Sequence, residues 1–123
     1  MARVTQTATL SAPRKVENRL GRPGLFADLK AVLKKEFGPR FRGLVLYGSF
    51  ARGEEGPESD VDVLVLLNGR VNVARDSDRA IDATFDVSLE IERVLSVLAV
   101  PAQDFANSGW SFYQTVRPEA LWL

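Results

Sequence analysis

The stretch LVLYGSFARGEEGPESDVDVLVLL, from Leu44 to Leu67, constrains this chain more than any other: two apolar runs flank a polar loop. Runs of Val and Leu that are nearly continuous suit strands covered on both faces. The first run ends in Gly48-Ser49, the second opens with Asp60-Val61-Asp62, and ten residues separate Ser49 from Asp60. Gly56 and Pro57 turn the chain between them. So short a connection makes the two strands, over 43–48 and 61–67, antiparallel neighbours and brings Ser49 and Asp60 to one end of the sheet. Asp60 and Asp62 lie two apart in a strand, so their carboxylates share a face. Two carboxylates side by side repel each other; a divalent cation removes that cost, and hard oxygen ligands suit magnesium. Gly48 lets a backbone or a phosphate approach closely. Ser49 offers a hydroxyl and an N–H where a helix starts. A phosphate binder facing a metal binder points to nucleotide chemistry.

The rest of the chain reads as an α/β fold with a mixed sheet and packing helices. Residues 1–22 are polar and basic and are expected to form a flexible arm, with an edge strand at Val4, Thr5, Thr7 and Thr9 as the alternative; residues 23–123 form the domain. Leu25, Leu29, Val32, Leu33 and Phe37 recur at helical spacing over 24–37, with Pro23 at the entry and Gly38-Pro39 at the exit. A second helix is predicted over 77–90, capped by Asp76 or Ser77, with Ile81, Phe85, Ser88 and Leu89 along one side and Asp82 and Asp86 solvated. Residues 92–100 read as a third strand, beside the first two. The tail holds Phe105, Trp110, Phe112, Tyr113 and Trp122, which suit a core or an aromatic partner surface.

Composition excludes several chemistries. With no cysteine and no histidine, disulfides, thiolate zinc sites, Ser-His-Asp triads and zinc-hydrolase sites all fall away. No apolar run reaches membrane-spanning length and no signal peptide is visible, so a cytoplasmic protein is the expectation. Formal net charge is zero but unevenly spread: residues 1–52 carry 11 Lys and Arg against 3 Asp and Glu, residues 53–123 carry 5 against 13. A basic half can receive phosphates, and an acidic half can hold metals or a basic partner.

The string Gly-Ser-x-Ala-Arg-Gly, then Ser-Asp-x-Asp in an apolar strand, resembles the signature of the nucleotidyltransferase superfamily that includes the DNA polymerase β palm. In detail it is most similar to the minimal nucleotidyltransferases, single small domains often partnered with HEPN proteins. The resemblance covers residues 25–123, strongly over 44–67, and the tail SFYQTVRPEALWL is similar to the family's closing helix and short strand. It implies attack of an acceptor hydroxyl on the α-phosphate of a nucleoside triphosphate, ATP above all, with two magnesium ions stabilising the attacking and leaving oxygens. Asp60 and Asp62 match the metal ligands, and Gly48 and Ser49 match the triphosphate grip, with Arg52 near enough to neutralise a phosphate. The family adds a third carboxylate from a later strand. Glu92 is the candidate here and the expected third metal and catalytic ligand, although Asp is the commoner residue at that place; Asp86 is its rival.

Three functions follow as expectations. One is an adenylyltransferase acting as an antitoxin, which places AMP on a tyrosine of a HEPN-type toxin. Another is a non-catalytic antitoxin that binds its partner by occlusion. The third is a small-molecule nucleotidyltransferase, for which the chain has no room for the usual substrate domain. Neither a membrane nor nucleic acid is the expected partner.

Overall fold

The computed structural model describes residues 12–123. Helix α1 (residues 12–20) leads into α2 (Leu25–Phe37), β1 (Phe41–Tyr47), the single turn α3 (Ser49–Arg52), β2 (Val61–Leu67), α4 (Val73–Ser88), β3 (Leu95–Pro101), α5 (Ala102–Asn107), α6 (Ser111–Glu119) and β4 (Leu121–Trp122). The four strands form one mixed sheet in the order β3-β2-β1-β4. β1 runs antiparallel to β2 and β4, and β3 runs parallel to β2. The expected α/β architecture, the antiparallel β1–β2 pair and the adjacency of the three long strands are all present.

The sheet is covered on both faces, as its nearly continuous apolar strands require. Leu44 and Leu46 of β1, Val61, Val63, Val65 and Leu67 of β2, and Val97 and Ala99 of β3 point to one face, where they pack with Leu25, Phe26, Leu29, Leu33 and Phe37 of α2, Ala80 of α4 and Val16 of α1. Val45, Leu64, Leu66 and Val100 point to the other, under Phe105 of α5 and Tyr113 and Val116 of α6. The second cover is shorter and leaves the Gly48 end of the sheet open. Gly43 makes room for the Trp122 ring, whose Cζ3 would stand 2.8 Å from an added Cβ.

Three expectations need correction. The packed region starts ahead of residue 23: residues 12–20 are helical, Val16 is buried, and Arg19 donates to Glu55 at 2.7 Å and to the Phe50 carbonyl at 3.1 Å. The rest of the expected arm, with Val4, Thr5, Thr7 and Thr9, lies outside the described residues. Helix α4 starts four residues early, capped by the Asn72 side chain, which accepts the Arg75 N–H at 3.0 Å. Its inward face is Asp76, Ser77, Ala80 and Thr84, while Ile81, Phe85 and Leu89 are exposed. Small inward residues let α4 lie close on β3, where Ser77 Oγ accepts the Ala99 N–H at 2.8 Å. Asp76, 3% exposed, is held by Arg40 at 2.8 and 3.3 Å and by the Asn72 N–H at 3.1 Å, and these contacts hold its carboxyl below the ordinary range. Finally, the third strand begins at Leu95; Glu92 stands before it in a left-handed turn, φ 52°.

Candidate functional site

The site is built where β1 and β2 end together. In the antiparallel register Tyr47 faces Asp62, so the Gly48-Ser49 turn at the end of β1 lies beside the start of β2. Gly48 has φ 78° and ψ −159°, a backbone state open essentially to glycine. A Cβ there would run into the Asp62 carboxylate, with Asp62 Cγ 3.2 Å away. Absence of a side chain therefore brings the turn and the carboxylate into contact.

Strand alternation sends Asp62 to the same face as Leu64 and Leu66, the face covered by α5 and α6. Asp60, exposed and one step before the strand, acts on Asp62 through its charge. The Asp62 carboxyl is pushed above its ordinary range, first by burial, then by repulsion from Asp60 and Glu119, against a smaller opposing pull from Arg52. The loop that delivers Asp60 is tied down at its base. Arg93 Nη1 donates to the carbonyls of Gly56 and Ser59, both at 2.9 Å, and its guanidinium lies over the Phe50 ring, 5.0 Å from the centroid.

A cleft of about 560 Å³ opens over these residues, lined by Tyr47, Gly48, Ser49, Arg52 and Asp62 on one side and Phe112, Thr115 and Glu119 of α6 on the other. That volume lies in the range of small-molecule sites. Tyr47 meets Phe112 edge to face at 5.9 Å, and its hydroxyl is pushed up to about 12 by burial and by the charges of Asp62 and Glu119. Glu119 enters from the end of α6: its carboxylate accepts the Gly48 N–H and two donations from Arg52 Nη1, at 3.1 and 3.2 Å.

The structure thus brings Gly48, Ser49, Arg52 and Asp62 to one cleft; Asp60 does not line it but is near enough to act on Asp62 through its charge. It does not bring Glu92 there. Glu92 lines a separate groove between α4 and β3, with Ile81, Phe85, Leu89 and Val94. Among the described residues no group of three Asp, Glu, His or Cys side chains could hold a metal ion, so Glu92 does not complete a set with Asp60 and Asp62. The physical reason is register. In the parallel β2–β3 ladder the residue opposite Asp62 is Ser96, which is where a β3 carboxylate would have to stand. Glu119, which sequence reasoning missed, is brought in by β4. Pairing of Val45 with Trp122 and of Leu46 with Leu121 carries the chain backward so that Glu119 falls opposite Gly48. No local pattern announces a pairing between strands so far apart in sequence.

Two carboxylates without a third still suit magnesium, which commonly takes one or two protein carboxylates and completes its shell with water and substrate phosphates. Burial is the first cause of the raised proton affinity of Asp62 and repulsion from Asp60 and Glu119 the second; a bound cation would offset that repulsion.

Residues 28–108 match the model of a family described as nucleotidyltransferase domain. The chain is 33% identical over 89 residues to the protein named "Putative protein adenylyltransferase" from Methanocaldococcus jannaschii, a match spanning 71% of this chain and 82% of the relative. Among solved structures it is similar to one titled "putative nucleotidyltransferase" from Sulfolobus solfataricus, at 23% identity and a TM-score of 0.48, covering 76% of this chain and 77% of that one.

Proposed function

The chain belongs to the nucleotidyltransferase domain family, and from that membership we propose that it transfers AMP from ATP to a hydroxyl of a partner protein. The observation that carries this reading is the cleft in which Gly48, Ser49 and Arg52 face Asp62. Gly48 N–H and Arg52 are donors for triphosphate oxygens. Asp60 and Asp62 would hold magnesium, which neutralises charge on the triphosphate and on the leaving pyrophosphate. The acceptor oxygen bonds to the α-phosphorus as the bond from that phosphorus to the bridging oxygen breaks, and pyrophosphate leaves with both electrons. With no histidine in the chain, the hydroxyl proton goes to a carboxylate. Positioning and charge supply most of the rate.

A protein acceptor is supported by the name of the archaeal relative, "Putative protein adenylyltransferase". The sequence resemblance narrows it to a tyrosine of a HEPN-type toxin, with this chain as the antitoxin. A specific observation favours one second reading: Ser96 faces Asp62 where β3 would offer a carboxylate, which suits a chain that silences its partner by occlusion without transfer.

One experiment separates them. The protein is incubated with magnesium, ATP labelled at the α-phosphate and a HEPN-type toxin. Label on the toxin is expected with wild type and Glu92→Gln, and is expected to vanish in Asp60→Asn and Asp62→Asn. Binding of ATP and toxin without transfer selects occlusion. Undiminished transfer in either aspartate variant overturns the assignment.

A further inference from the structure

The donors that suit a phosphate in this cleft are already taken by the chain itself. Glu119 presents its carboxylate to the Gly48 N–H and to Arg52 Nη1, the latter at 3.1 and 3.2 Å. A carboxylate that accepts one backbone N–H and one guanidinium does what a phosphate oxygen would do at the same place. The Glu119 side chain is 16% exposed, although its partner Arg52 is 44% exposed. It is also held in position from behind. After Glu119 the chain leaves the helix at Ala120 (φ −66°, ψ 135°), and Leu121 and Trp122 pair with Leu46 and Val45. That register sets Glu119 opposite Gly48. The position lies beyond residues 28–108, the segment that the family match covers.

We propose that Glu119 is a specificity-determining residue of the phosphate site: an internal competitor that a polyphosphate displaces and a single phosphate does not. This rests on the nucleotidyltransferase reading and deepens it. Glu119 and Asp62 already crowd the cleft with negative charge. An incoming anion must break the contacts of Glu119 with Gly48 and Arg52 and then sit beside the displaced carboxylate. Inorganic phosphate replaces those contacts one for one and gains nothing. A triphosphate replaces them and adds further charged oxygens that reach Ser49 and the rest of the cleft.

The test is calorimetric titration, without metal, of the full chain and its Glu119→Gln variant with inorganic tripolyphosphate and with inorganic phosphate. An amide of the same size keeps an oxygen for the Gly48 N–H but removes the competing charge. If Glu119 closes the site about nine-tenths of the time, tripolyphosphate binds the variant about tenfold tighter, because apparent affinity scales with the open fraction. Binding of inorganic phosphate becomes measurable, and the preference for tripolyphosphate narrows. Equal or weaker tripolyphosphate binding in a variant with a wild-type melting curve overturns the proposal, since a residue that merely braces Gly48 and Arg52 would weaken binding when changed. Wild type supplies a second measurement that does not depend on the variant folding. Saturation with tripolyphosphate must shift the side-chain carboxyl carbon resonance of Glu119 as it leaves Gly48, and an unmoved resonance overturns displacement. Equal binding by both proteins sinks only the role of Glu119. No binding by either sinks the phosphate site and the proposed function with it.

Discussion

Gly48→Ala is the sharpest test of how the fold makes this site. The position has φ 78° and ψ −159°, a region in which a residue with a Cβ is strained by about 1–3 kcal/mol. The new methyl would also press on Asp62, whose Cγ and Cβ would stand 3.2 and 3.4 Å away. Asp62 is half-buried and can swing aside, so this overpacking adds about 1 kcal/mol, the low end for a packed position. The expected sum is roughly 3 kcal/mol, or a fall of about 10 °C in melting temperature for a chain of this size. Gly53→Ala is the control. It has φ 72° and ψ 25° with no heavy atom within 4 Å of an added Cβ, so it should lose only about 1 kcal/mol. Urea denaturation of both variants, and of Gly48→Ala combined with Asp62→Ala, separates strain from contact. The double variant should recover the roughly 1 kcal/mol of crowding and keep the backbone strain. Magnesium-dependent label transfer should be lost in Gly48→Ala while the chain stays folded at 25 °C. A Gly48→Ala protein within about 0.5 kcal/mol of Gly53→Ala would refute the reasoning, because neither the special backbone state nor the Asp62 contact would then matter.

Two further predictions concern charge. Asp62→Asn should raise the stability of the metal-free protein at pH 7 by about 0.5–1 kcal/mol. The folded chain holds the Asp62 proton more tightly than the unfolded chain does, so the benefit of protonation is present below the unfolded value of 3.8 and is lost as pH rises through the folded one; the advantage of the variant should therefore fade in melts taken as pH falls toward that value. Asp76 behaves oppositely: its folded carboxyl is held below 3.8, so its contribution is present above that pH and lost as pH falls beneath it. Arg40→Ala should remove about 2–3 kcal/mol at neutral pH by stranding a buried carboxylate that keeps only the Asn72 N–H and a distant Arg79, and Arg40→Ala combined with Asp76→Asn should regain part of it; a neutral-pH loss below 0.5 kcal/mol for Arg40→Ala would show that the pair is solvated.

What could be read from the sequence was what is encoded locally. The apolar runs that became β1 and β2, the helical spacing of Leu25, Leu29, Leu33 and Phe37, and the turn at Gly56-Pro57 each carry their own signal within a few residues. What escaped depends on partners remote in sequence. Helix α1 has few large apolar residues, and its place is set by Val16 in the core and by Glu17, which accepts the N–H of Phe26 at 2.8 Å. Along α4 the large apolar residues suggested the inward side, yet close approach to β3 selected Ser77, Ala80 and Thr84. Asp76 could be buried there because Arg40, 36 positions earlier, supplies its counter-charge. Glu92 misled because the strand starts three residues later than its Val- and Leu-rich flank implied, which puts Ser96 opposite Asp62.

The location of the site follows from the same alternation that builds the core. In VDVLVLL the odd-numbered positions, Val61, Val63, Val65 and Leu67, face the deep cover of α1, α2 and α4. A one-residue slip of β2 would turn Asp62 into that layer, packed with Leu25, Leu29 and Phe50, and move the valines to the face under α5 and α6. The cost of burying an unpaired carboxylate there forbids it. Asp62 is thus forced to the face where α5 and α6, only six and nine residues long, leave the end of the sheet uncovered. On that face the residue opposite it on β1 is Tyr47 and the next is Gly48, so the hydrophobic pattern that holds β2 in place also sets a half-desolvated carboxylate against a bare glycine backbone. A one-residue slip would bury the carboxylate and lose the cleft together.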